Sequence, residues 1–307
     1  MIKLYNNFNI QNIHKKSIIL IGNFDGLHLG HQKLFHLAKK YKKKFSLKVG
    51  VLTFEPMPKM YFDKNIKNFR ISNKNQKINL LNKFNVDFVI IKKFNKKFSK
   101  IKSIDFIKEI LSKKLNARFI FVSNNFRFGN KREGDVRQLI KYEHQCNYKI
   151  IKPKPLLIKK KVVSSTLIRN YLQKGKLDKI NKLLNREWSI EGKVQRGRQL
   201  GKKIGFPTAN MDIKDYVLGC PGVYAVRGKI AESSKYLKGI ANLGYRPTFN
   251  GKKILLEVHL FNFSGNLYNK YLTVEFLKFI RKEKKFRNID QLKKQIKADL
   301  LIAKKIK

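Results

Sequence analysis

Residues Ile18 to His31 read IILIGNFDGLHLGH, and this stretch decides the fold. Ile18 to Ile21 form an apolar run suited to a buried parallel strand, Gly22, Gly26 and Gly30 punctuate the chain beyond it, and helical spacing resumes at Gln32. The expectation is a strand, a tight turn and a helix start. A helix N-terminus leaves unpaired N–H groups and the positive end of its dipole, so chain delivered to that point through Gly22, Asn23, Phe24 and Gly30 is suited to phosphate. His28 and His31 stand three apart at this entry, where two imidazoles can share one side of the turn and donate to phosphate oxygens. The plain alternative is a glycine-rich strand stop with two exposed histidines. A P-loop is the poorer reading, because no Lys-Ser/Thr follows the glycines. A dinucleotide fingerprint fits badly, because its second and third glycines are misplaced and Phe24 and Asp25 crowd the turn.

A chain of 307 residues exceeds one ordinary hydrophobic core, which predicts two domains, and an apolar fraction of 42% supports globular folding. No run reaches membrane-spanning length, and no apolar segment with a small-residue cleavage site opens the chain, so neither membrane insertion nor secretion is expected. The two cysteines, Cys146 and Cys220, lie far apart, which argues against a disulfide scaffold or structural zinc and for a reducing, cytoplasmic setting. The formal charge of +50 attracts anionic surfaces, yet its lysines recur everywhere, as at Lys39 to Lys44, Lys92 to Lys100 and Lys282 to Lys285. So even a spread is a compositional drift and not a footprint. No specific nucleic-acid partner is expected, only weak adhesion at low salt. A monomer or weak homo-oligomer is the default.

Ile18 to Ile21, Leu47 to Phe54, Asp87 to Ile91, Arg118 to Val122 and Tyr148 to Ile151 read as short apolar strands separated by helical spacing. Strand and helix alternate. That predicts an α/β first domain over residues 1–185, a Rossmann-like parallel sheet whose ligands bind outside the carboxyl ends of its strands. Three polar clusters fall at such ends: Gly22 to His31, then Glu55-Pro56-Met57-Pro58, then Ser123 to Gly134 with Asn125, Phe126 and Arg127. The last can pair guanidinium groups with phosphates and stack an aromatic ring on a base. Ser164, Ser165 and Thr166 followed by Arg169 read as a capped helix start, and Lys174 to Asn185 as a connector with a short helical pattern.

From about Arg186 the apolar period shifts toward two. Trp188 to Val194, Gly222 to Lys229, Lys238 to Leu243, Leu255 to Phe263 and Tyr271 to Phe279 read as strands of an antiparallel β-barrel over residues 186–307, with a terminal helix from Asn288. The densest polar segment runs from Gly201 through Gly205, Phe206, Pro207 and Thr208 to Asn210. Thr208 and Asn210 offer hard oxygen ligands suited to a magnesium ion held mainly by substrate phosphates, although P-T-x-N also forms plain Asx turns. Asn242 and Arg246 lie in a second polar cluster, and Glu257 interrupts an apolar strand, where a carboxylate near ATP can accept a hydroxyl proton.

His28, Gly30 and His31 match the H-x-G-H motif of the nucleotidylyltransferase superfamily. With F-R-F-G-x-x-R-E-G-D at Phe126 to Asp135, S-S-T-x-x-R at Ser164 to Arg169, I-G-F-P-T-A-N and L-E-V-H, five ordered motifs make the chain resemble, over essentially its full length, the bacterial bifunctional riboflavin kinase/FMN adenylyltransferase family. The resemblance implies that the second half phosphorylates riboflavin with ATP, using Glu257 as base, Thr208 and Asn210 around Mg2+, and Gly201, Gly205, Phe206, Pro207, Asn242 and Arg246 around ATP and flavin. It implies that the first half adenylylates FMN to FAD and releases pyrophosphate. There His28 and His31 stabilise the transferring phosphoryl group, Gly22, Asn23, Phe24 and Gly30 shape the ATP turn, Ser165, Thr166 and Arg169 grip the leaving phosphates, and Asn125, Phe126 and Arg127 meet flavin or ATP. Family members carry a glycine and an acid before that last loop, whereas this chain has Ser123 and Asn124, a departure that implies retuned or weakened adenylyl transfer. Two readings compete: a riboflavin kinase with a weakened first domain, and a basic nucleic-acid-binding protein.

Overall fold

The computed structural model describes residues 2–66, 69–197, 201, 204–231, 233–248 and 251–306, with the backbone alone at 246–248 and 251–253. The chain forms two compact units, one of residues 1–66 and 74–164, the other of residues 67–73 and 165–307.

The first unit is built on a six-stranded sheet of β1 (Lys3–Tyr5), β2 (Ile18–Ile21), β3 (Val49–Glu55), β4 (Phe88–Lys93), β5 (Phe119–Phe121) and, after the short β6 (Arg127–Phe128) and β7 (Gly134–Asp135), β8 (Lys149–Ile151). The order is β1-β4-β3-β2-β5-β8, and every pairing is parallel. β2 is apolar throughout because both of its faces are covered. Ile18 and Leu20 pack with Leu34, Phe35 and Ala38 of α1 (Leu29–Phe45), while Ile19 and Ile21 pack with Ile107 and Leu111 of a π-type helix, Phe106–Lys114. Gly50 of β3 is a close-approach glycine, since a Cβ there would collide with the Phe88 ring. Strand order reverses at β2. The chain moves outward through β3 and β4 on one side and through β5 and β8 on the other, so the crevice beyond the carboxyl ends of β2 and β5 is the topological switch point. A small hairpin of β9 (Leu157–Ile158) and β10 (Lys161–Val162), which the sequence reading did not anticipate, completes this unit.

The second unit is a closed antiparallel barrel of β11 (Trp188–Gln195), β12 (Ala209–Asp212), β13 (Gly222–Ile230), β14 (Leu237–Thr248), β15 (Gly251–Leu260) and β16 (Tyr271–Lys282). Alternate residues such as Met211, Leu243, Leu256, Val258 and Val274 fill it, and Trp188 lies opposite Phe276 with ring centroids 4.5 Å apart. β12 is not among the strands read from the sequence, where Asn210 closes a dense polar segment. Residues 69–73 run along this unit: Arg70 bridges Tyr216, and the Trp188 indole donates to the Ile71 carbonyl at 3.0 Å. The short helical pattern expected within Lys174 to Asn185 is a packed helix. Leu177, Ile180, Leu183 and Leu184 of Leu177–Leu184 are all buried, and the helix rests on β11 and β16.

The terminal helix, Ile289–Lys304, is capped by the Asn288 side chain and clipped to β16 by a buried ion pair. Arg281 donates to both Asp299 oxygens at 2.6–3.0 Å, and Gln295 donates to the same carboxylate at 2.9 Å. Asp299 is 2% exposed, so removing it strands a guanidinium that its surroundings have desolvated. Asp299→Ala is expected to cost about 3 kcal/mol. Urea unfolding followed through Trp188, the single tryptophan, measures it, and Asp299→Leu with Arg281→Met together should recover part of the loss.

Candidate active sites

Leaving β2, the chain turns through Phe24 (φ 48°), Gly26 (φ 76°) and Leu27 (φ 38°) before α1 begins. Left-handed backbone at a phenylalanine and a leucine is costly, and here side-chain burial offsets it. Phe24 and Leu27 are wholly enclosed, and the Phe24 ring packs on Phe35 and edge-on to His31. Two carbonyls of the turn find side-chain donors. Gln32 donates to the Leu27 carbonyl at 2.9 Å, while Thr53 and Lys77 donate to the Asn23 carbonyl at 3.5 and 3.4 Å.

His28 is the N-cap of α1, its Nδ1 accepting from the His31 backbone N–H at 3.4 Å, which in the neutral ring leaves the proton on Nε2. The two imidazoles are stacked, 3.7 Å between centroids and 19° between planes. A side chain at Gly30 would press on the His28 ring and the Val163 carbonyl, which is why H-x-G-H has its glycine there. His31 is partly covered as a residue, but its Nδ1 is enclosed without a hydrogen-bond partner. Burial first, and the His28 ring second, hold its pKa well below the ordinary value of 6.5. The sequence-predicted pair is therefore brought together as stacked rings at the end of β2, with His31 held neutral.

At the carboxyl end of β5 the loop is ordered by its own contacts. The Ser123 hydroxyl donates to Asn125 Oδ1 at 2.9 Å, Phe126 stacks on the buried Phe128, and Arg127 faces Asp135 at 3.6 Å. Phe126 is half-buried against Phe128 instead of standing out as a bare stacking platform. Asp135 caps the next helix through Gln138, and that hydrogen bond leads the causes that lower its pKa.

Ser165 and Thr166 open the helix Ser165–Gln173 of the second unit. On the same helix Arg169 donates from Nε to the Phe69 carbonyl at 2.8 Å, with its guanidinium 3.6 Å over the Phe69 ring.

In the barrel, register sets Asn210 opposite Glu257 and Glu257 opposite Asn242, so three polar residues form one row across β12, β15 and β14. Their strand neighbours Ala209, Met211, Leu256, Val258, Ala241 and Leu243 fill the interior, so the row lies on the outer face. Asn210 is nevertheless buried, because the backbone at Gly197 lies against its amide, and its Oδ1 has no hydrogen-bond partner. An enclosed acceptor without a donor is the observation here that fits a cation. With the Thr208 hydroxyl two residues back it offers oxygen ligands, although no cluster of three or more His, Cys, Asp or Glu occurs among the described residues. The loop before β12 folds on Gly201, whose carbonyl accepts from Ile204 and Phe206, and Gly205 takes φ 90° with open space around it. His259 Nδ1 lies 2.8 Å from the Pro207 carbonyl, which can only accept, so that nitrogen carries a proton and pins the P-T-A-N segment to β15. The side chain of Arg246 lies outside the described residues.

Sequence reasoning passed over Lys77 and His259. Lys77 stands in the polar run KNQKINLLNK, where its one signal is a spacing of four from the buried Leu81. His259 closes L-E-V-H but stood two residues beyond the carboxylate that drew attention.

The FAD synthetase family model matches residues 10–167 and the riboflavin kinase family model residues 184–307. A bifunctional riboflavin kinase/FMN adenylyltransferase of Buchnera aphidicola subsp. Schizaphis graminum is 40% identical, covering 97% of this chain and 96% of its own. The protein of that name from Escherichia coli K12 is 36% identical, covering 94% and 91%. A solved chain from Streptococcus pneumoniae, titled a macrolide-efflux protein, superposes with a TM-score of 0.86 at 28% identity over 99% of each chain. No helix of the described residues is long and apolar enough to cross a membrane. Matches in both halves favour the bifunctional reading over a kinase-only enzyme and over a nucleic-acid-binding protein. The chain belongs to the bifunctional riboflavin kinase/FMN adenylyltransferase family, with an FAD synthetase domain in its first half and a riboflavin kinase domain in its second.

Proposed function

We propose that this protein makes FAD in two steps, the riboflavin kinase half acting first. What supports the reading is that one chain carries two differently built clusters, each on a domain of matching family: two stacked imidazoles at a sheet switch point, and a carboxylate in register with two asparagines on a barrel.

In the kinase step the 5′-hydroxyl oxygen of riboflavin bonds to the γ-phosphorus of ATP, the bond to the β-bridging oxygen breaks, and the hydroxyl proton passes to Glu257, giving FMN and ADP. Glu257 is half-buried, with Asn210 and Asn242 opposite it on the neighbouring strands, neutral residues that add no charge beside a base. Asn210 Oδ1 and the Thr208 hydroxyl would hold Mg2+, which when bound supplies charge neutralisation of the phosphates. Gly201, Gly205, Phe206 and Pro207 bring backbone close to ATP, and His259 holds that segment in place. Asn242 and Arg246 keep the flavin or nucleotide contacts that the family resemblance gives them.

In the adenylyl step an oxygen of the FMN phosphate bonds to the α-phosphorus of a second ATP and pyrophosphate leaves. His28 and His31 donate to charge growing on the α-phosphate through N–H groups fixed beforehand, a preorganised form of stabilisation. Gly22, Asn23, Phe24 and Gly30 shape the turn, and Asn125, Phe126 and Arg127, on the loop after β5, keep the flavin or ATP contacts that the family resemblance gives them. Ser165, Thr166 and Arg169 keep the grip on the leaving phosphates that the resemblance assigns. The enzyme is read as cytoplasmic.

Incubation with riboflavin, ATP and Mg2+, with flavins then separated, should show FMN followed by FAD. FMN that accumulates without FAD, even when FMN is supplied, overturns the bifunctional reading. Glu257→Gln should lower FMN formation by about a hundredfold and leave FAD formation from supplied FMN unchanged; equal loss of both would contradict separate sites. Because His31 is held far below 6.5, the neutral ring is the working form. At saturating FMN and ATP, kcat for FAD formation should therefore not fall as pH rises above that value; a working imidazolium would instead make it fall tenfold per pH unit.

A further inference from the structure

Lys77 is a buried ammonium with no part in either reaction as written. It is 4% exposed, on a helix (Lys74–Lys83) whose outward face carries further lysine and asparagine. Its Nζ donates to the Thr53 hydroxyl at 3.2 Å and to the Asn23 carbonyl at 3.4 Å, and Thr53, with no exposed surface, donates to the same carbonyl at 3.5 Å. Asn23 is separated from β2 by one glycine and precedes the left-handed run Phe24, Gly26 and Leu27 that delivers His28. The helix of Lys77 also packs directly on the Asp25–Leu27 turn, which holds the buried Asp25 carboxylate.

Burying an ammonium is expensive, and a turn needing only a hydrogen-bond donor could use a neutral side chain. In a chain with lysines so common on the surface, one lysine turned inward under the phosphate turn is a departure from the compositional background. A charge at that place acts on the turn as well as filling the role of donor. A fixed positive charge bonded to the Asn23 carbonyl holds that peptide in one orientation and remains in place when anionic phosphates arrive, where low dielectric strengthens its field.

We propose that Lys77, with Thr53, is a positioning residue of the adenylyl-transfer site: its ammonium sets the turn Asn23–Leu27 and thereby the placement of His28 and His31 against the α-phosphate. It touches neither substrate. The inference rests on the adenylyltransferase reading of the first unit, which the wild-type flavin product assay tests independently.

The experiment compares the wild type with Lys77→Met, Lys77→Arg and Thr53→Val, using full-length protein and measuring FAD formation from supplied FMN. FMN formation from riboflavin in the same sample reports the folded second unit, resistance of the first unit to limited proteolysis reports the folded first unit, and all rates are taken below each variant's melting midpoint. Lys77→Met is expected to lower kcat for FAD formation about tenfold or more, with KM for ATP changed less and FMN formation held within about twofold. Lys77→Arg, which keeps the charge, should recover part of that kcat, and Thr53→Val should lower it in the same sense but less. If Lys77→Met keeps wild-type kcat at normal FMN formation, the proposal fails. It fails equally if both activities fall together in all three variants, or if arginine rescues no better than methionine, since either result marks a packing role alone. Wild-type protein that forms no FAD would instead overturn the reading on which the inference rests.

Discussion

Both faces of β2 are buried, and that constraint organises the first unit. Four consecutive residues must be apolar, the strand must sit in the interior of the sheet, and the chain must leave it at Gly22 with no helix yet begun. The turn and α1 are the solution to that exit. Sheet order reverses at this strand, so the exit opens on the switch-point crevice, and the backbone takes left-handed conformations at Phe24, Gly26 and Leu27 to bring α1 round with its N-terminus toward it. Burial of the Phe24 and Leu27 side chains offsets that strain, so packing and site geometry are coupled. A substitution that loosens either side chain relaxes the turn carrying His28.

The sheet strands buried on both faces, and most strands of the barrel, were legible in the sequence. β2, β3, β4 and β5 coincide closely with the apolar runs that suggested them, and the barrel strands β11, β13, β14, β15 and β16 overlap theirs. The histidine pair was legible too, because its spacing of three around a glycine is a local fact. What escaped depended on long-range pairing. Ala209–Asp212 carries Asn210 and Asp212, and only its ladder to β15 makes a strand of it. The hairpin Leu157–Val162 turns through Lys159 and Lys160 at positive φ, where glycine or asparagine would have been the signal. The helix Leu177–Leu184 was legible as a short helical pattern within a connector, but its packing was not, because its apolar face meets strands distant in sequence.

The charge of +50 is compatible with this fold because the few carboxylates are placed where structure needs them. Asp87 accepts from Lys42 and from the Val49 N–H, tying the start of β3 to α1, Glu275 joins Arg227 and Tyr236 on the barrel, and Asp299 holds the terminal helix. Most lysines face solvent, where repulsion is screened within about 8 Å at physiological salt. The excess therefore changes solubility and low-salt adhesion more than it changes the fold.

The two candidate sites share one physical device despite their different architectures. Segments that approach ligands cannot be strands or helices along their whole length, so some of their carbonyls lack backbone partners and must be satisfied from elsewhere. Here a side chain on a neighbouring regular element does it: Lys77 for the Asn23 carbonyl, Gln32 for Leu27, His259 for Pro207, and Arg169 for Phe69. Each donor borrows rigidity from its helix or strand and lends it to irregular backbone. Such residues make no pattern along the chain, because donor and carbonyl are set together only by packing, which explains why the groups expected to touch substrate were readable and the groups that hold them were not.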